Sequence, residues 1–397
     1  MGHDPVQSAI PDDRYGERLV RAQALVRERG VQAMLIGHGA DLRYLTGYQT
    51  WPTERLTMLV VPAEGEPSLV APSLEAMAAS DSPAGRVAGL PVVAWGETDD
   101  PYALVTSRLE GASAGGSGSR GSGSRGQVLI SDRLWAMHVL ALEGSLPGVS
   151  LGLASTLLRE LRMTKDRHEI ALLRQAAHAA DRVVAQIAAG RLVGRTEADV
   201  SAEVRDRLVA EGHETAEFAI VASGPNSASP HHEAGARVIA AGDPIVLDIG
   251  GMLGGYCSDT TRTLWVTGGD PAQGPKPEFR RLFSLLQEAQ AAATAAVRPG
   301  IPCEELDAVA RGIISAGGHG PEFIHRLGHG IGLETHEEPY LVTGNAEPLR
   351  EGTAFSVEPG IYQAGRYGAR IEDIVVCGPT GPDILNQSDR GLWVVPG

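Results

Sequence analysis

Three features are scarce in this chain of 397 residues, and each scarcity narrows what it can be. Cysteine occurs only at Cys257, Cys303 and Cys377, an odd number with no C-x-x-C spacing. That excludes a disulfide framework or a thiolate site, and points to reduced, buried thiols in a cytoplasmic protein. Positive charge is in deficit. A formal net charge of −15 argues against sequence-independent binding to nucleic acid or an anionic membrane. Long apolar runs are missing too: no stretch approaches the roughly 20 residues that cross a bilayer. The opening MGHDPVQSAIPDDRYGERLVRAQ also lacks the apolar core of a secretory leader. What remains is ordinary, with 43% hydrophobic and 21% charged residues. The length suits two or three domains, each able to bury a core.

The first 160 residues alternate helical and strand signals. An amphipathic helix over Tyr15–Arg29 leads into strands at Val31–Gly37, Thr57–Pro62, Ser68–Pro72, Pro91–Trp95 and Gln127–Ser131. This is the pattern of an α/β domain spanning 1–160. Within it, Gly111–Gly126 (GASAGGSGSRGSGSRG) has no apolar side chain large enough to pack, and is expected as a surface loop. Asp166-x-x-Glu169 reads as a capping box opening a long helix through about Ala189, and starts a second domain over 161–397.

That second domain repeats itself. The segment Gly194–Arg205 matches Gly300–Arg311, and Gly212-His213 matches Gly318-His319, at one constant offset. Each copy reads as helix, short loop, helix and then strands, so two related halves would face each other across a central cleft.

Four acids and one histidine in this domain stand where a charge is costly. Asp248 lies in PIVLDIGG, Asp259 in CSDTTRT, His329 in LGHGIG, Glu358 in FSVEPGIY and Glu372 in ARIEDIVV. Each acid sits in or beside a β-like apolar run, where a carboxylate is disfavoured unless paired or metal-bound. Together they suggest two divalent cations sharing carboxylates. A turn at Leu253-Gly254 would set Asp248 opposite Asp259, and a hairpin centred on Gly365 would set Glu358 opposite Glu372. Opposed Cβ atoms lie about 4.5–5.5 Å apart. Bulges leave these registers good to about one residue.

The ordered pattern D-x-G, S-D-T-T-R-T, H-x-x-G-H-G-I-G, V-E-P-G-I-Y and R-I-E-D resembles the pita-bread metallopeptidases of the methionine aminopeptidase, prolidase and aminopeptidase P superfamily over roughly 165–390. ADLRYLTGY at Ala40–Tyr48 is similar to the creatinase-type domain of prolidases and aminopeptidases P, which turns the expectation toward proline-specific peptidases. The implied fold is an α/β N-terminal domain followed by an α+β pita-bread domain with an internal pseudo-twofold repeat.

The resemblance implies a site residue by residue. Asp248 would hold one metal, Asp259 and Glu372 would bridge, and His329 and Glu358 would complete the other shell. The ions expected are Mn²⁺, with Co²⁺, Fe²⁺ and Zn²⁺ compatible, and they activate a water for attack on the scissile carbonyl. His231 and His336 would donate or carry protons around the tetrahedral intermediate, and His325, Tyr340 and Arg370 would line the substrate pocket. Arg370 could alternatively fix Asp259 or Glu372. Tyr362 is a further candidate wall, whereas Tyr48 and Trp51 read better as core and His232 as an exposed neighbour.

The implied activity is hydrolysis of the bond before a proline at the second position of a peptide. A dipeptidase is preferred over an aminopeptidase P, and the protein is expected to be a homodimer. One departure bears on that preference. Many prolidases carry an arginine for the dipeptide carboxylate four residues after the histidine equivalent to His336, and this chain has Tyr340 there. Arg370, Arg366, Arg43 or a partner's arginine are the substitutes in view. Creatinase and non-catalytic pita-bread modules share the fold without the metal ligands, and retention of all five argues against either role here.

Overall fold

The computed structural model describes residues 9–113 and 126–397, so most of the expected Gly/Ser loop, residues 114–125, lies outside the described residues. The chain divides into two compact units, Ile10–Arg162 and Met163–Gly397.

The N-terminal unit is one six-stranded sheet with helices. Its strands are β1 (Ala33–Ile36), β2 (Met58–Pro62), β3 (Ser68–Pro72), β4 (Val92–Trp95), β5 (Gln127–Ile130) and β6 (Ser150–Leu153), in the order β4-β3-β2-β1-β5-β6. β1 is buried at every position, as its unbroken AMLI run requires of a strand covered on both faces. It runs antiparallel to β2 and parallel to β5. The last strand was not legible: SLGL is short, contains glycine and sits half-exposed at the sheet edge. Tyr48 packs in this unit's core, its hydroxyl donating to Glu75 at 3.0 Å. Trp51, expected beside it in the core, is instead 82% exposed.

In the C-terminal unit the capping box is present. Asp166 Oδ1 accepts from the amides of His168 and Glu169 at 2.8 and 3.0 Å, and Glu169 Oε2 accepts from the Asp166 amide at 2.9 Å. It opens the helix Arg167–Ala189. The repeat is present as well. Helices Glu197–Ala210 and Cys303–Ala316, each of 14 residues, begin at equivalent positions of the two copies. The glycines before them, Gly194 and Gly300, adopt φ of 83° and 86°, and those after them, Gly212 and Gly318, 106° and 87°. These left-handed conformations are cheap only for glycine, which is why the repeat was visible as matched glycines. Each half packs its own core, around Val184, Val204 and Leu247 in the first and Phe279, Leu306 and Phe355 in the second.

The strands of this unit are β7 (Thr215–Ser223), β8 (Pro244–Leu253), β9 (Tyr256–Cys257), β10 (Thr260–Val266), β11 (Gly328–Gly330), β12 (Glu337–Leu341), β13 (Ala354–Val357), β14 (Gly360–Gln363), β15 (Tyr367–Arg370), β16 (Asp373–Cys377), β17 (Pro382–Ile384) and β18 (Trp393–Val395). They form a sheet ordered β18-β10-β8-β7 with β9 on β8, a sheet ordered β12-β11-β13-β16-β17, and the hairpin β14-β15.

One expected register needs correction. Leu253 pairs with Tyr256, so the two-residue turn is Gly254-Gly255 rather than Leu253-Gly254, and Asp248 faces Thr261 rather than Asp259. Both turn glycines have positive φ, 57° and 83°. That is what a tight hairpin matched to strand twist demands, and leucine could not supply it. The shift is two residues along the partner strand, so Asp259 keeps its face. The second hairpin keeps the expected register: Val357 pairs with Asp373 and Gly360 with Arg370, on either side of Glu358 and Glu372.

Candidate metal centre

The expected continuous strands break at three of the four acids. Asp259 lies between β9 and β10, Glu358 between β13 and β14, and Glu372 between β15 and β16. At Glu358 and Glu372 the chain leaves one sheet and joins another, whereas on either side of Asp259 it stays paired with β8 in a single register. Asp248 alone lies inside an unbroken strand, β8. A single bridge ties the two halves together at this point. Thr261 pairs with Glu372, whose amide donates to Thr261 O at 3.1 Å. Because Thr261 also faces Asp248, the three residues form one row that joins the two halves.

His329 is placed by close approach of backbones. A Cβ on Gly328 would lie 1.9 Å from Ser356 O, and one on Gly330 2.2 Å from Glu338 O, so only glycine fits on either side of the histidine. The His329 amide donates to Ser356 Oγ at 3.1 Å. Its Nδ1 lies 3.1 Å from Gly330 O, which fixes the proton there. Nε2 is thereby left as the free ligand atom, 3.2 Å from Glu358 Oε1 and 3.6 Å from Asp259 Oδ2.

Asp248, Asp259 and Glu372 bring a carboxylate oxygen each within 4.8 Å of one another, and His329, Glu358 and Glu372 form a second such group. All five side chains are buried or nearly so. Burial pushes the carboxyls of Asp259 and Glu372 well above the ordinary range, and the neighbouring carboxylates push them further. Asp248 is raised for the same reasons, with Arg370 opposing. Burial would raise Glu358 as well, but His329 beside it brings it down to about 2. Asp248 Oδ1 and Glu372 Oε1 are buried with no hydrogen-bond partner. Crowded acids with orphaned, inward-facing oxygens and one imidazole lone pair fit divalent cations, which would satisfy those atoms and cancel the repulsion.

Around this centre the other expected residues take distinct places. Arg370 is buried and donates to Asp248 Oδ2, to Thr261 Oγ1 at 3.1 Å and to the Tyr362 hydroxyl at 2.8 Å. It was expected to line the substrate pocket or to fix Asp259 or Glu372. Its direct carboxylate partner is instead Asp248, and its remaining donors are engaged within the protein. Tyr362 is in turn 3.0 Å from His325 Nε2, whose Nδ1 is 2.7 Å from Arg326 O. Asp248, Arg370, Tyr362 and His325 therefore form one hydrogen-bonded chain. Burial lifts the Tyr362 hydroxyl to about 12 and lowers His325, so this chain holds a neutral phenol and a neutral imidazole.

His336 stands with its ring centroid 4.0 Å from that of His329 and can join Asp259 and His329 as a ligand group. Burial first, and His329 second, bring it down to about 4. His231 is exposed, yet close enough to weaken proton binding at both His325 and His336. Tyr340 lies on β12 opposite His329.

Four contributors escaped the sequence reading. Thr261 lies two residues past Asp259 in the same motif, and its burial could not be read from a threonine. Tyr362 was taken as a wall and is a hydrogen-bonding hub. His232, expected as an exposed neighbour, is 2.7 Å from the fully buried Glu197, which also accepts from the Ser223 amide and hydroxyl at 2.7 Å each. Glu197 thus pins the loop that carries His231. Arg326, next to His325, stacks on Tyr340 with its guanidinium carbon 4.2 Å from the ring centroid.

Comparison with known proteins agrees with this geometry. The family model for metallopeptidase family M24 matches residues 171–379, and that for the creatinase/prolidase N-terminal domain matches 18–164. A probable dipeptidase PepE of Mycobacterium tuberculosis is 44% identical over 96% of this chain and 97% of its own length. An Xaa-Pro dipeptidase of Lactobacillus helveticus is 33% identical over 95% and 99%. Among solved structures, dipeptidase PepE from Mycobacterium ulcerans superposes with a TM-score of 0.88 at 43% identity, covering 98% of this chain and 100% of that one. Recombinant prolidase from Thermococcus sibiricus gives 0.85 at 34% identity, with 96% and 99% covered. With a family match over more than half its length and full-length relatives on both sides of it, this chain belongs to metallopeptidase family M24 and carries a creatinase/prolidase N-terminal domain.

Proposed function

We propose that this metallopeptidase is an Xaa-Pro dipeptidase that works with two divalent cations. The observation that carries the reading is the buried convergence of four carboxylates and one imidazole, with oxygens of Asp248 and Glu372 left unsatisfied by the protein. Asp248 would hold one ion, Asp259 and Glu372 would bridge, and His329 and Glu358 would complete the second shell. The oxygen-rich set with one imidazole suits Mn²⁺. When bound, the ions polarise the scissile carbonyl and acidify a water.

The chain's own residues supply the rest. Arg370 holds Asp248 in place and, through Tyr362, sets the His325 ring. His336, kept neutral at physiological pH beside His329, is suited to donate a hydrogen bond to the developing oxyanion. His231, on the loop anchored by Glu197 and His232, is suited to pass a proton to the leaving nitrogen. His325 and Tyr340 offer flat surfaces for a proline ring, which carries no N–H to be satisfied.

Relatives named as Xaa-Pro dipeptidase and prolidase support a substrate with proline at its second position. Three buried free thiols support a reducing, cytoplasmic setting. The match of the N-terminal unit to the creatinase/prolidase N-terminal domain supports the expected homodimer. Among the described residues no helix is long and apolar enough to cross a membrane.

The test is to strip the metal, restore Mn²⁺, and assay Ala-Pro and Met-Pro beside a longer Xaa-Pro-Xaa peptide, with Asp259→Asn as control. Dipeptide cleavage that the variant loses supports the reading. Cleavage of the longer peptide alone makes the enzyme an aminopeptidase P, and cleavage of neither overturns the proline specificity.

A further inference from the structure

A dipeptide presents its site with a carboxylate that a longer peptide does not have. In an Xaa-Pro dipeptide that carboxylate lies roughly 3–4 Å from the scissile carbonyl carbon, fixed by backbone geometry. It must therefore leave water near a centre already crowded with acids, and a buried anion without a cationic partner is strongly disfavoured. The position expected to carry an arginine for this purpose holds Tyr340.

Most cations around the centre are already engaged by the protein. Arg370 is spent on Asp248, Thr261 and Tyr362. Arg311 is paired with Asp307, Lys165 with Glu337 and Arg262 with Asp373. Arg366 bonds Gln363 and the Tyr367 hydroxyl. Arg326 differs: it is half-buried, and its guanidinium has no hydrogen bond or ion pair to any described residue.

Its placement suits a ligand. Arg326 follows His325, whose ring closes the hydrogen-bonded chain from Asp248. Its charge reaches the His336 ring and weakens proton binding there. It stacks on Tyr340, the cross-strand neighbour of the expected ligand His329. Stacking engages only the face of the guanidinium and leaves its in-plane N–H groups free, and those are the groups that grip a carboxylate in bidentate fashion. The aromatic residue at the arginine's expected position is thus the platform for a different arginine.

We propose that Arg326, held flat by Tyr340, binds the C-terminal carboxylate of the dipeptide substrate and is the residue that sets dipeptide against longer-peptide preference. This rests on the dipeptidase reading of the centre.

The test uses metal-loaded wild-type protein and the variants Arg326→Gln, Arg326→Lys and Tyr340→Leu, with Ala-Pro and its amide Ala-Pro-NH₂ as substrates. In Arg326→Gln, KM for Ala-Pro should rise about 30- to 100-fold with kcat within about threefold, a loss on the scale of a charge-assisted pair. Turnover of the amide should not change. Arg326→Lys should recover part of the loss, since it restores charge but not the planar fork, and Tyr340→Leu should raise the same KM by a smaller factor. Equal losses on acid and amide, or an unchanged KM for Ala-Pro, overturn the assignment. A wild-type enzyme that cleaves the amide but not the dipeptide overturns the anchor and leaves proline-specific cleavage standing. One that cleaves neither overturns the function reading, and the anchor with it.

Discussion

Thr261 Oγ1 lies 2.7 Å from Glu372 Oε2 and also accepts from Arg370 Nε at 3.1 Å, at the bridge where the two halves of the catalytic unit meet. A single hydroxyl therefore orients one carboxylate of the centre and the arginine that holds another. Thr261→Val keeps the shape and removes the hydroxyl. It should weaken metal binding about 10- to 100-fold, as is usual when a ligand loses its supporting hydrogen bond, while Thr261→Ser should restore most of it. Calorimetric titration of metal into stripped protein measures this directly.

Without metal, the buried acids oppose one another. Glu372→Gln removes one charge from the cluster and should stabilise the stripped protein, raising its Tm by about 2–4 °C if the relief is near 1 kcal/mol. The same variant should lose most of the Tm gain that wild-type shows on adding Mn²⁺. Thermal melts with and without metal decide it; a stripped variant less stable than stripped wild-type would contradict the electrostatic account.

Glu197 predicts a pH effect away from the centre. Burial alone would raise its carboxyl, but hydrogen bonds from Ser223, His232 and Asn226 hold it below its ordinary 4.5. A carboxyl depressed on folding stabilises above its unfolded value, and that contribution fades as pH falls through the folded one. Wild-type should therefore lose stability from about pH 4.5 downward more steeply than Glu197→Gln, as read by urea midpoints of stripped protein. Because Glu197 pins the loop of His231, kcat of the variant should also fall at neutral pH.

His336→Ala should lower kcat by about 10²–10³-fold while leaving metal stoichiometry at the wild-type value, the pattern of a lost hydrogen-bond donor rather than a lost ligand. Metal analysis of the purified variant alongside its kinetics separates the two, because a ligand role would show as missing metal.

Gly330→Ala adds a Cβ that would sit 2.2 Å from Glu338 O. The β11–β12 ladder must shift to admit it, at about 1–3 kcal/mol, and His329 moves with it. Lower Tm and weaker metal binding should appear together; a variant with wild-type values of both would show that the backbones tolerate a methyl there.

Much of this was legible in the sequence because the physics was local. Matched glycines marked both helical pairs of the repeat, Asp166 and Glu169 announced a helix start, and acids inside apolar runs marked a site. The register around Gly365 was also readable, since a hairpin with one glycine at its centre leaves few alternatives. Two adjacent glycines at 254 and 255 did leave one, and the turn moved by a residue. What stayed hidden depends on distant partners. Thr261 meets Glu372 across 111 residues and His232 meets Glu197 across 35. Arg326 stands out only against the hydrogen-bonded or ion-paired cations around it. No spacing rule encodes such meetings.

The division of the four acids and one imidazole between the two halves has a further consequence. Asp248 and Asp259 come from the first half, His329, Glu358 and Glu372 from the second, and a chain emerging in order has no complete set until residue 372 has been made. Each half packs its own core, so the first can collapse early, yet it would hold only two carboxylates that repel each other. A chain that ends before residue 372 therefore lacks at least one of the five expected ligands, however well its first half has packed.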